Sequence, residues 1–244
     1  MSLGKTLRSG LITAIGAGAF ALSAPAAADV IVKSSGPSAK TFPVGKKLKS
    51  TARITLKAGD TVTILGKSGT RILKGAGTYR VGGRGASTRV KFADVTRSRS
   101  RARSGVARTG TIEDPFAPNI WFVDVTKSGK MCLADLEDVT LWRPQVKDDQ
   151  TFVLSRPNSE FTYPVTFDGQ ANTRKVDKSR LALQAGTEYS IKNPTWESSK
   201  TAMVNFAILE TVPDNPEAMA ETLIAQGCTL QLDLLAHKLE AETR

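Results

Sequence analysis

The chain has 244 residues, with 34 Lys and Arg against 23 Asp and Glu, a formal net charge of +11, and only one His and two Cys. That length leaves room for one or two domains, each able to bury a core. The single His and two Cys exclude a clustered Cys/His zinc site, and any Ser-His-Asp or Cys-His centre would have to use His237.

Residues 1–28 have the pattern of a secretory signal peptide. Lys5 and Arg8 form the positive region, Leu11 to Leu22 is apolar and rich in small residues, and Ala26-Ala27-Ala28 precedes Asp29. Cleavage after Ala28 would leave 216 residues. The apolar run is too short to span a bilayer, and no later segment is apolar enough to do so. The expected location is therefore the periplasm or the cell exterior.

Residues 29–82 form the first predicted unit, a small antiparallel β domain. Between Arg53 and Val81 apolar and polar residues alternate in short runs: Ile54 and Leu56, Val62 and Ile64, Ile72 and Leu73, Tyr79 and Val81. Ala58-Gly59-Asp60, Gly66-Lys67-Ser68-Gly69 and Gly75 to Gly77 break the runs, which predicts four short strands with one buried face. The run AGDTVTILGKSGTRILKGAG, with its GD-x-V strand followed by a glycine turn, resembles the periplasmic FecR-like domain over residues 52–82. That resemblance implies an envelope protein that works by binding partner proteins. The signal-transducing members carry an internal transmembrane helix after a cytoplasmic segment, and this chain has no such pattern.

The charge is divided along the chain. Residues 29–82 hold 11 basic and 2 acidic residues, a net of +9; residues 83–110 hold 8 and 1, a net of +7; residues 111–244 hold 13 and 20, a net of −7. Such asymmetry implies an anionic partner for the first half, or docking between the halves. Residues 83–115 are the predicted flexible linker, centred on Arg97, Arg99, Arg101 and Arg103 at alternate positions. Like charges extend such a tether, and its guanidinium forks match phosphate and carboxylate, which makes the four arginines candidate anion ligands. Export puts nucleic acid out of reach, and the arm has no interleaved aromatics for stacking bases. Envelope polymers, anionic lipid headgroups or an acidic protein partner remain.

Residues 116–244 are predicted as a β-sandwich-like domain with one or two terminal helices. Strand candidates are 120–123, 131–134, 139–142, 151–154, 161–167, 181–183, 188–191 and 202–209. Trp121 and Trp142 could form a sugar platform, although large aromatics are more often core. Asn215, Pro216 and Glu217 announce a helix that Gly227 stops. After it, Leu232, Leu235 and Leu239 have helical spacing, whereas Leu230, Leu232 and Leu234 also alternate as a strand would.

No motif marks a reaction, and neither a cofactor nor a metal is expected. Gly66-Lys67-Ser68 has Thr61 where a phosphate loop requires Gly, and a strand rather than a helix follows it. Asp135, Glu137 and Asp138 near Asp124 lack the glycine and spacing of a calcium loop and read as a solvated turn. Cys132 and Cys228, alone in an exported chain, are expected to form a disulfide between a strand and the end of the first terminal helix. The expected function is that of a non-enzymatic envelope protein binding protein partners or anionic polymers. The alternative is a carbohydrate-binding or carbohydrate-active protein using the second domain.

Overall fold

A computed structural model describes residues 28–84, 89–96, 116–144, 148–157, 159–169, 171–195 and 201–240. The fold is mainly β, with two helices closing the chain. Residues 1–27 of the signal-peptide reading lie outside the described residues; Ala28 opens the first strand.

The first unit contains β1 (Ala28–Ser35), β2 (Lys47–Lys49), β3 (Arg53–Leu56), β4 (Thr61–Gly66), β5 (Gly69–Lys74) and β6 (Gly77–Arg80). The four strands expected from alternation are β3 to β6, but they do not form one sheet. β4 and β5 make a hairpin around Lys67-Ser68 and join β1 in the order β2-β1-β4-β5, while β3 and β6 pair with each other. The two sheets pack face to face through Ile31, Leu48, Ile54, Leu56, Ile64 and Leu73. Alternation through the larger sheet then sends Val30, Val32 and Leu65 to its opposite face, where they join the main core with the terminal helices.

Asp60 organises the corner between the sheets. It is 2% exposed and accepts hydrogen bonds from the backbone N–H groups of Ser38 (2.8 Å) and Lys57 (2.6 Å). Gly36 passes so close, at φ 99°, that a Cβ there would lie 2.6 Å from the Asp60 Oδ1, so only glycine fits. Burial works to raise the Asp60 carboxyl, but the bonds from Ser38 and Lys57 and the Lys57 charge outweigh it and hold it below the usual range. A pKa lowered on folding contributes stability that is full above the unfolded value of about 3.9 and is lost as pH falls through the folded value. Asp60→Asn should therefore destabilise the protein at pH 7 and flatten its loss of stability below about pH 4. Melting curves of both proteins across that range check this, and parallel pH profiles would rule it out.

The stretch read as a flexible linker contains a helix, α1 (Arg89–Thr96). Phe92 and Val95 are buried in the main core, and the carbonyls of Val95 and Thr96 accept from Ile120 N and Trp121 Nε1. The tether reading fails there because the apolar pair Phe92 and Val95, three apart on one helix face, finds a surface to cover. Residues 97–115 lie outside the described residues.

The second unit has β7 (Phe122–Asp124), β8 (Gly129–Leu133), β9 (Thr140–Trp142), β10 (Gln150–Ser155), β11 (Thr162–Phe167), β12 (Thr173–Lys175), β13 (Glu188–Lys192) and β14 (Ala202–Ile208). They form a five-stranded sheet, β11-β10-β13-β14-β8, and a three-stranded sheet, β12-β9-β7. The pairs β14–β8 and β7–β9 are parallel. Pro164 lies in β11, an edge strand, where its missing N–H is tolerated. Residues 181–183 are not a strand: Leu181 and Leu183 are buried, but Leu181 N bonds back to Asp177 O in a turn.

α2 (Pro216–Gln226) begins as expected, with the Asn215 side chain accepting from Ala218 N at 2.9 Å. It ends at Gly227, φ 74°, where Cys228 N donates to Leu223 O. α3 (Thr229–Glu240) resolves the Leu230–Leu234 ambiguity as helix. Gln231, Leu232, Leu234, Leu235, Ala236 and Leu239 are all buried, because α3 is enclosed between β8, α1, α2 and the first unit.

Candidate functional site

The outer face of the β3–β6 pair sets two exposed arginines side by side. Ile54 and Leu56 point into the core, so their neighbours Arg53 and Thr55 face solvent. On β6, Thr78 and Arg80 do the same. The register sets Arg53 opposite Arg80 and Thr55 opposite Thr78, whose hydroxyls are 3.0 Å apart. Arg71 on β5 reaches over the end of β6 and donates to Arg80 O (2.6 Å) and Val81 O (2.5 Å), adding a third guanidinium to the neighbourhood.

Acidic residues do not balance this charge locally. The unit has only two carboxylates, Asp29 and Asp60. Asp60 is occupied at its corner, and Asp29, 9% exposed, lies against Gly66, where a Cβ would collide with its carboxylate. The ion pairs that this unit makes among the described residues are on the other side: Lys33 with Glu240 of α3 (3.3 Å) and Lys47 with Glu221 of α2 (2.9 Å). Thr63 of β4 also bonds Glu240. The acidic half therefore docks on the inner side of the first unit and leaves the outer face cationic.

The anion ligands expected from the sequence, Arg97, Arg99, Arg101 and Arg103, lie outside the described residues. Cys132 and Cys228 do form a disulfide, with Cα atoms 5.9 Å apart. It joins β8 to the α2–α3 junction. Beside it, buried Gln231 accepts from Cys132 N (2.6 Å) and donates to the carbonyls of Cys132 (2.7 Å) and Ile120 (3.0 Å). Trp121 and Trp142 are 7% and 3% exposed, so both are core and neither offers a stacking face for a sugar. Among the described residues no group of His, Cys, Asp and Glu is placed to hold a metal ion. Asp135 accepts from the backbone of Glu137 and Asp138 in a tight turn, and those two carboxylates pair with Lys178 and Lys175.

His237 is stacked on Phe116, ring centroids 4.3 Å apart, with the Lys127 ammonium 4.8 Å from the same ring. A cavity of about 30 Å³ lies nearby, between Phe122, Met131, Leu230 and Leu234. That is room for about one water molecule. Arg143, 1% exposed, donates to the carbonyls of Asp148, Asp168 and Ala171 and packs on Phe167. Burial lowers its pKa against the pull of the nearby Asp149, Asp148 and Asp168 charges, and its bonds tie the β9–β10 loop to the β11–β12 loop.

The β3–β6 surface was missed by the sequence reading because Arg53 and Arg80 are far apart in the chain. The usable signal was the alternation itself, which puts Arg53 and Arg80 on the polar side of their strands. No helix among the described residues is long and apolar enough to cross a membrane. Comparison of the chain with protein-family models, with curated proteins and with solved structures found no match.

Proposed function

We propose that this is an exported, non-enzymatic envelope protein whose basic N-terminal half, a FecR-like module, docks onto anionic envelope polymers or lipid headgroups. The observation that carries this reading is the charge placement on the first unit. Of its two acids Asp60 is held by backbone N–H groups and Asp29 is buried, its inner side is paired with α2 and α3, and Arg53 and Arg80 face outward with Thr55 and Thr78. The signal-peptide pattern of residues 1–28 and the Cys132–Cys228 disulfide both suit an oxidising compartment. The arginines at 97, 99, 101 and 103 continue the same charge along the chain.

The test is co-sedimentation of the exported protein with lipopolysaccharide and with anionic vesicles over a salt series. Binding is expected at low salt and should weaken as the screening length falls to about 8 Å at physiological ionic strength. N-terminal sequencing of the same sample should begin at Asp29. Equal recovery with zwitterionic and anionic vesicles at every salt concentration would remove the reading.

A further inference from the structure

Directly opposed like charges destabilise an antiparallel pair, yet Arg53 and Arg80 occupy partnered positions on a two-stranded sheet. At such positions the Cβ atoms are about 5 Å apart, so both guanidiniums can close on one small anion. The anion's chemistry follows from counting acceptors. A carboxylate has only two oxygens, both engaged by a single arginine fork, so a second fork has to share them. A phosphate with three free oxygens can accept from two forks and still take a bond from a hydroxyl. The hydroxyls of Thr55 and Thr78 lie two residues further along the same face. This group also sits on the outermost layer of the first unit, on an open sheet surface. Such a surface suits an extended phosphate-bearing plane better than a small ligand that needs enclosure.

We infer that the face made by Arg53, Arg80, Thr55 and Thr78 is a phosphate-reading surface that docks on membrane lipids with phosphomonoester headgroups. The inference rests on the docking reading above and sharpens it from charge to geometry. A bound phosphate relieves the repulsion between the two arginines, whose opposition otherwise only weakens the sheet. Lysine supplies the same charge without the planar fork, so the two side chains are not equivalent here.

The experiment compares the wild-type mature protein with R53K/R80K and R53S/R80S. The probes are phosphatidylcholine vesicles containing phosphatidic acid, or phosphatidylglycerol at matched surface potential. Wild type is expected to prefer phosphatidic acid by about tenfold, the effect of one additional charge-assisted hydrogen-bond set. R53K/R80K should keep its affinity for phosphatidylglycerol and lose the preference, and R53S/R80S should weaken on both vesicles. All four side chains are exposed, so the melting temperatures of the variants should equal or exceed that of wild type. Equal wild-type affinity for the two vesicles, or a preference that survives in R53K/R80K, overturns the phosphate site and leaves the docking reading standing. No binding to either vesicle, even at low salt, overturns both.

Discussion

Replacing Cys132 and Cys228 together by alanine is expected to lower stability by about 4 kcal/mol. The crosslink closes a loop of 96 positions, and on the chain-entropy model a loop of that size constrains the unfolded chain by roughly this amount. Both cysteines are fully buried, so some packing is lost as well. For a chain of this length the change corresponds to a fall in melting temperature of roughly 10 °C. The structural result should be release of the α2–α3 junction from β8, because the bridge sits at the turn where α2 ends and α3 begins. Thermal melts of the wild type with and without reductant, and of the double variant, measure this. Oxidised and reduced protein melting within about 1 °C of each other would show that the bridge does not constrain the unfolded chain as argued.

Gln231→Leu should cost about 3 kcal/mol despite the similar volume of the two side chains. The glutamine amide satisfies one buried N–H and two buried carbonyls at residues 132 and 120. Leucine leaves all three unpaired, at about 1–3 kcal/mol each, offset in part by a better apolar transfer. Urea unfolding gives the value directly. The substitution also shares its neighbourhood with the disulfide, so the two losses should not add. In the Cys132→Ala, Cys228→Ala background the cost of Gln231→Leu should shrink by about 1 kcal/mol, because Cys132 and the start of α3 can then separate and hydrate their polar groups. A cost below about 0.5 kcal/mol in the wild-type background would mean that water replaces the amide without penalty.

The parts of this fold that could be read in the sequence are those where one face is buried and the other wet. β3 and the Asn215–Gly227 helix have that property, and their polar and apolar residues separate at the expected period; β4 is buried on both faces and was legible only because Thr61 and Thr63 alternate with Val62 and Ile64. β1 was missed because Val30, Ile31 and Val32 are buried on both faces, one against β3–β6 and the other against the terminal helices, so no alternation survives. α3 was ambiguous for the same reason, since it is enclosed on nearly every side. β12 is three polar residues at a sheet edge and carries no apolar signal. The disulfide was legible because two cysteines leave one pairing, whereas the amide of Gln231 beside it could not be seen, since nothing in a sequence marks which polar side chain is buried. The candidate surface was half legible. Local charge counts pointed to the first unit, but the opposition of Arg53 and Arg80 depends on a register between strands separated by two others.

The separation of charge between the two units gives the molecule an electrical axis in addition to its net charge. Residues 29–82 carry +9 and residues 111–244 carry −7, and the inner ion pairs at Glu221 and Glu240 neutralise only part of either pole. Such a body can line up with its own copies, the positive end of one against the negative end of the next. That contact is heterologous, so it does not close on itself and would grow as short chains rather than a defined dimer. The attraction acts across solvent and fades beyond about 8 Å at physiological ionic strength. Light scattering is therefore expected to report a mean mass that rises with concentration in dilute buffer and returns to that of the monomer as salt is added.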